Sequence, residues 1–284
     1  MGKSFKAACV QLNSAAEIAP NLESASRFIR AAASAGALLV MTPENTTLID
    51  PNRARTFAKT PPEEAHPGVP HFSALAKELG IWLLIGSMPV TADDGKRIAN
   101  RSFLFDASGK VVARYDKIHM FDVDLPNGET YRESNGVKPG EQAVVASTPW
   151  GVLGLTICYD VRFAYLHRAL AQAGAVMLTV PAAFTVPTGK AHWHVLLRAR
   201  AIETGCFVFA PAQTGQHAEG RLTYGHSLIV SPWGEVLADG GEAPGFIVAD
   251  VDLEQVSKAR SMVPALRHDR EFERPHGSLR AASE

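Results

Sequence analysis

The chain has 284 residues, enough for one large α/β unit or two small domains. Its 28 basic and 29 acidic residues nearly cancel, leaving a formal net charge of −1. No run of Lys or Arg stands out, which argues against an extended surface for nucleic acid or anionic membrane. At 46% hydrophobic and 20% charged the composition is that of an ordinary globular protein, and no segment is apolar for long enough to cross a bilayer.

In chain order, a strand is predicted over residues 5–12, a helix over 21–33 and a buried strand over 37–41. A helix over 71–79 ends at Gly80, and a strand over 81–85 follows it. Strands 101–106 and 111–115 flank an Ala-Ser-Gly turn and read as a hairpin. Residues 119–140 are rich in Gly, Pro, Asn and charge, and form a long irregular segment. Loops of that length in compact proteins are functional or disordered, and the acidic and aromatic residues here favour a working loop. Strand 152–157, helix 163–173 and strand 175–180 make one strand–helix–strand unit, with Gly174 as the helix C-cap. Thr188 can cap a helix over 190–204, in which Trp193, Leu196, Leu197 and Ala201 recur at helical spacing. Strand 206–211 comes next, then strands 225–230 and 235–238 around Ser-Pro-Trp-Gly, and a last strand over 245–250.

The strands are near-continuous hydrophobic runs and the helices are amphipathic, so sheets covered by helices on one side and buried on the other are expected: an α/β fold. No repeat or linker divides the chain. It reads as a single domain over 1–284, with about 268–284 as a C-terminal arm or tail. Cys9, Cys158 and Cys206 form no C-x-x-C, so neither a disulfide framework nor a zinc site is indicated. Cys9 and Cys206 sit in strand-like segments as small core residues. The N-terminus leads into a strand without a signal-peptide pattern, and the expected compartment is the cytoplasm.

Cys158 stands where a hydrophobic strand gives way to a helix-like pattern. A thiol there lies at a sheet rim, close to helix amides that favour thiolate. A thiol nucleophile also needs a base and an oxyanion stabiliser. None of the ten histidines stands out as the base. Glu44 follows a buried strand and is either that base or a turn acid. Lys117 closes another strand and is either an oxyanion partner or a solvated lysine. Glu133 lies in the long segment, as a second carboxylate or as a salt-bridge partner of Arg132. Asp160 fits a helix cap, and Arg162 fits a partner for some carboxylate. Other signals fail. Gly225-His-Ser-Leu-Ile229 lacks the closing glycine of a serine-hydrolase elbow. His192 and His194 are two apart on a helix and do not face each other. No dinucleotide fingerprint or phosphate loop is present.

Three segments together carry a resemblance: Thr42-Pro-Glu-Asn45, Tyr115-Asp-Lys-Ile-His119 and Gly154-Leu-Thr-Ile-Cys-Tyr-Asp-Val-Arg-Phe163. The chain resembles the nitrilase superfamily of carbon–nitrogen hydrolases, from Ala7-Ala-Cys-Val-Gln-Leu12 to Gly225-His-Ser-Leu228. The resemblance implies a four-layer αββα sandwich and a Glu–Lys–Cys triad on Glu44, Lys117 and Cys158. It also implies a supporting Glu133, a Tyr159 backbone N–H at the oxyanion, no metal or cofactor, and a homodimer or larger homo-oligomer. Phe121-Asp-Val-Asp-Leu-Pro126, Pro181-Ala-Ala-Phe-Thr185 and the segment 189–204 resemble the Nit-type amidase branch, the last of them the deaminated glutathione amidases slightly more than the omega-amidases. The chain departs from that branch at Ala164-Tyr165 and at His194, where an acidic residue is usual.

The activity so implied is hydrolysis of a small carboxylate-bearing amide to acid and ammonia through a thioester. Arg162 and Lys190 are candidate grips for a distal carboxylate, and Phe184 and Thr185 further substrate-binding residues. The alternatives are an omega-amidase or N-carbamoyl amide hydrolase and, in another class, a catalytically silent binding subunit.

Overall fold

The computed structural model describes residues 4–125 and 128–273. The first half runs through β1 (Ser4–Gln11), α1 (Ile18–Ser34), β2 (Leu39–Met41), α2 (Arg53–Lys59), α3 (Gly68–Leu79), β3 (Trp82–Thr91), β4 (Ile98–Phe105) and β5 (Val111–Asp116). A small hairpin, β6 (Asp122–Asp124) and β7 (Thr130–Arg132), leads into the second half. There β8 (Val144–Thr148) and β9 (Gly151–Leu155) precede α4 (Ala164–Gln172), β10 (Ala175–Thr179), α5 (Val186–Thr204) and β11 (Phe207–Ala210). The chain finishes with β12 (Thr214–Gln216), β13 (Leu222–Tyr224), β14 (Leu228–Val230), β15 (Val236–Asp239), β16 (Gly245–Asp252) and α6 (Glu254–Met262).

Two six-stranded sheets result, in the orders β16-β1-β2-β3-β4-β5 and β15-β14-β11-β10-β9-β8. Each has a parallel centre, β1–β2–β3 in one and β9–β10–β11 in the other, flanked by antiparallel strands. Strand alternation sorts the side chains. Ala8 and Val10 face α1 and α3, joining Ile29, Phe72 and Leu75 in one cluster. Ala7 and Cys9 face the other way, in the cluster that holds Leu155, Met177 and Phe209 of the second sheet and Leu170, Trp193 and Leu197 of α4 and α5. The layers are helix, sheet, sheet, helix. Each fully buried Ile, Leu or Phe at these contacts contributes roughly 1.5–3 kcal/mol.

The structure shifts several predicted elements. β3 runs on past residue 85, through a register irregularity between Ile85 and Met88. Gly86 sits there, and a Cβ on it would lie 2.0 Å from the Thr42 carbonyl oxygen and 2.4 Å from Pro181 Cβ. This glycine lets the two sheets approach, and in sequence it reads as a strand end. Residues 119–140 are not structureless, since they hold the β6–β7 hairpin and a 3₁₀ turn at Glu133–Asn135. α5 begins at Val186 with a proline in its first turn, so Thr188 lies inside the helix and Thr185 takes the capping position. The predicted helix 163–173 is preceded by a separate 3₁₀ turn, Cys158–Arg162. Of the expected C-terminal arm, residues 268–273 are irregular, and Asp269 meets Arg168 and Gln172 of α4. Residues 274–284 lie outside the described residues, as does Pro126.

Candidate active site

Glu44 lies in the turn that follows β2. The turn is fastened at several points: Gly86 N–H donates to Thr42 Oγ1 at 3.1 Å, Asn45 N–H to Ser87 Oγ at 2.8 Å and Thr46 N–H to the Ser87 carbonyl at 2.9 Å. From the second sheet's side, buried Gln213 Nε2 donates to the Glu44 carbonyl at 3.0 Å. So held, the Glu44 carboxylate is 3% exposed and fully engaged. Oε1 accepts from Asn100 Nδ2 at 2.8 Å and Lys117 Nζ at 3.0 Å, and Oε2 accepts from Ala183 N–H at 2.9 Å.

Lys117 leaves the end of β5 with its backbone N–H on the Asn100 carbonyl at 3.0 Å. Its ammonium, 2% exposed, also donates to Glu133 Oε1 and Oε2 at 3.0 and 2.9 Å. Glu133 Oε2 accepts in addition from Phe121 N–H at 2.6 Å. Of the two readings offered for Glu133, its partner is therefore Lys117, and Arg132 pairs with Asp124 instead.

Cys158 comes from the other sheet, just past β9. Its backbone is left-handed, at φ +50°, a conformation that costs an L-residue about 1–2 kcal/mol. Two contacts over-determine it. Cys158 N–H donates to the Pro181 carbonyl at 2.9 Å, and the Asp160 carboxylate takes Ile157 N–H at 2.8 Å. Asp160 caps the turn as expected and does more: it also accepts from Tyr115 Oη at 2.6 Å and His119 N–H at 3.0 Å, and sits 2.7 Å from His119 Nδ1. One buried carboxylate thus ties the Cys158 turn to the strand end that presents Lys117.

The electrostatics correct one expectation. Cys158 does not sit at an α-helix N-terminus that favours thiolate, because a five-residue 3₁₀ turn intervenes. Burial pushes its thiol well above the ordinary value, the Glu44 carboxylate pushes it further, and Lys117 offsets only part of this. Burial also acts to raise Glu44. The Lys117 charge, the neighbouring Cys158 thiol and the Asn100 amide outweigh it and hold the carboxyl below its usual range. Lys117 is held well above its own, since the Glu133 and Glu44 charges overcome its desolvation. The resting state is a neutral thiol beside an ionised carboxylate and an ammonium.

These four side chains line the inner part of a cavity of about 710 Å³. Tyr159, Phe184 and Thr185 line it too. Arg162 and Lys190 do not: Arg162 lies over the Tyr159 and Phe184 rings at 5.7 and 5.6 Å beside His192, and Lys190 is exposed on α5. The cations that do reach the cavity are Lys117, Arg53, Lys96, Arg132 and Arg221. Sequence reasoning also missed Asn100, Gln213 and Ala183 N–H, which are uncharged and carry no titration or motif signal.

A model of the carbon–nitrogen hydrolase family matches residues 6–261. The chain is 41% identical over 269 residues to a deaminated glutathione amidase of Synechocystis sp., covering 94% of this chain and 98% of that one. It is 36% identical over 267 residues to a human omega-amidase, covering 94% and 95%. Its structure is similar to that of the C. elegans NitFhit protein, with a TM-score of 0.88 and 36% identity over 95% of this chain and 66% of that longer one. The chain belongs to the carbon–nitrogen hydrolase family, with the αββα fold of the nitrilase superfamily. Within it, the chain is an amidase.

Proposed function

We propose that Cys158 is the nucleophile of this amidase, Glu44 its proton carrier and Lys117 its electrostatic partner. The supporting observation is that all three meet at the inner end of one cavity, with a neutral thiol against an ionised carboxylate. Glu44 takes the thiol proton as sulfur attacks the amide carbon, and the carbonyl electrons move onto oxygen. Lys117 and Tyr159 N–H, in the first turn where helical donors have no intrahelical acceptor, stabilise that oxyanion. Glu44 returns the proton to nitrogen, the C–N bond breaks and a thioester remains. Water then gives a proton to Glu44 and its oxygen to the carbonyl carbon, the C–S bond breaks, and sulfur recovers its proton. Glu133 fixes Lys117. Intact-mass spectra during turnover test this cycle: an acyl adduct that maps to Cys158 is expected, and turnover retained in Cys158→Ala would overturn it.

For the substrate we propose a carboxylate-bearing amide of the deaminated glutathione type. Two observations support it. The cavity holds more than a small primary amide needs, and Arg53, Lys96 and Arg221 in its wall have no carboxylate partner among the described residues. Arg221 Nε is buried without any hydrogen-bond partner. These three replace Arg162 and Lys190 as grips for distal carboxylates. Ammonia is the leaving group only for a primary amide such as 2-oxoglutaramate. Each amide nitrogen of deaminated glutathione carries a substituent, so an amine leaves instead. Comparing kcat/KM for the two substrates by release of the acid product decides between them, and a higher value for 2-oxoglutaramate would favour the omega-amidase reading.

We further propose a homo-oligomer acting in the cytoplasm. Ile202 of α5, Trp233 of the β14–β15 turn and Val263 after α6 share one groove and are each more than half exposed, an apolar face that suits a second copy. Three free buried thiols fit a reducing compartment. No helix among the described residues is long and apolar enough to cross a membrane. Light scattering on the parent and on Ile202→Asp tests the assembly, and a monomeric parent would overturn it.

A further inference from the structure

A second cluster of chemically able side chains lies outside the cavity. His194 projects from α5, His226 stands between β13 and β14, and Asp239 ends β15. Their ligating atoms all fall within 4.8 Å of one another. His194 Nε2 is 3.0 Å from Asp239 Oδ2, and His226 Nδ1 is 2.9 Å from Asp239 Oδ1. The side chains are 34%, 21% and 35% exposed, so an ion reaches them from solvent without any opening of the fold. The trio spans 45 residues of chain, which is why sequence spacing around His192 and His194 gives no metal motif.

We propose that His194, His226 and Asp239 form a binding site for one divalent transition-metal ion of the zinc type. Two imidazoles and one carboxylate are a donor set suited to zinc, cobalt or nickel, at about 2.0–2.2 Å from each ligand atom, with the remaining positions left to water. Each ring nitrogen is about 3 Å from a carboxylate oxygen and all the ligand atoms lie within 4.8 Å of one another, so only small side-chain adjustments are needed for them to converge on an ion. The exchange is balanced: two N–H···O hydrogen bonds to Asp239 are replaced by three metal bonds, and each ring binds the ion as the neutral tautomer that carries its proton on the other nitrogen, Nδ1 in His194 and Nε2 in His226.

The rings are already held. Tyr224 stacks on His226 with centroids 4.5 Å apart, and Trp193 Nε1 donates to the His226 carbonyl at 2.8 Å. His226 also keeps a left-handed backbone, at φ +54°, that aims its ring at Asp239. The bound ion is a clamp between α5 and the strands beside it, with no part in amide cleavage.

Equilibrium dialysis of the full chain against zinc, in a Cys158→Ala background that removes the active-site thiol as a competing ligand, tests the site. One zinc per chain is expected, with at least about tenfold weaker binding in His194→Ala and in Asp239→Asn. Zinc should raise the melting temperature of the Cys158→Ala protein and not that of the two further variants. With Cys158 intact, His194→Ala should keep its amidase turnover, which shows that it folds. Uptake that is equal in all three proteins, or no uptake at millimolar zinc, overturns the proposal and leaves a hydrogen-bonded His–Asp–His cluster.

Discussion

The inner end of the cavity and its mouth are built on opposite principles. At the inner end Glu44 and Glu133 both bond to Lys117, and Glu44 also to Asn100 and each carboxylate to a backbone N–H; Glu44 and Lys117 are almost wholly buried and Glu133 largely so. At the mouth Arg53 and Lys96 are exposed, Arg221 is half-buried, and none has an acidic partner among the described residues. A preorganised polar cage performs chemistry without rearranging, whereas an unpaired cation gains its partner only when the ligand arrives. On the proposed reading, the contrast separates the reaction, fixed by the protein, from the choice of substrate, which waits for a carboxylate.

The comparison breaks most completely at Cys158. Cys158→Ala should cut turnover by about 10⁴-fold or more in steady-state assays while the melting temperature barely moves. Lys117→Met should be next. It leaves two carboxylates facing each other unpaired, so kcat should fall roughly 10²–10⁴-fold and urea unfolding should show a loss of about 3–5 kcal/mol. A change in kcat without a change in stability would mean that Lys117 is not the centre of the cage.

The mouth should respond differently. Arg221→Ala should raise KM for a dicarboxylate amide about tenfold to a hundredfold, with kcat and the KM of an uncharged analogue little changed. Equal losses on both substrates would place Arg221 in the cage and not in the selection of substrate.

The last contrast concerns acid, and it separates stability from chemistry. Glu44 stays ionised below the usual carboxylate range, so its titration should not limit the rate under mildly acidic conditions. Burial pushes His66, His167 and His217 from 6.5 down to about 4. Between those values the unfolded chain binds protons that the native chain does not. Stability is therefore full above pH 6.5 and falls as pH drops toward 4, by about 1.4 kcal/mol per pH unit for each histidine. Urea midpoints measured from pH 7 to 4.5 should fall before kcat of the folded enzyme does.

Much of this organisation was legible in the sequence, because Glu44, Lys117 and Cys158 each follow a hydrophobic run that ends in polar residues. Such boundaries mark sheet edges, and sheet edges bear sites. What was hidden depends on contacts between distant segments. Asn100 and Gln213 are neutral, and only the approach of the two sheets gives them a role. Gly86 reads as a strand end because its need is steric and comes from Thr42 and Pro181. Arg162 is only four residues from Cys158 in sequence, but the 3₁₀ turn places it over the faces of two aromatic rings.

The sharing of one lysine by two carboxylates sets the charge balance of the proposed cycle as far as the thioester. Two carboxylates, one ammonium and a neutral thiol sum to a single negative charge. Moving the thiol proton to Glu44 leaves that sum intact. Sulfur adding to a neutral carbonyl carries the charge onto oxygen, and a neutral amine departs. Up to the thioester, no step asks a buried, poorly solvating interior to hold more charge than it did at rest. The chemical step should therefore be nearly indifferent to ionic strength, while capture of an anionic substrate at the cationic mouth should weaken steadily as salt is added.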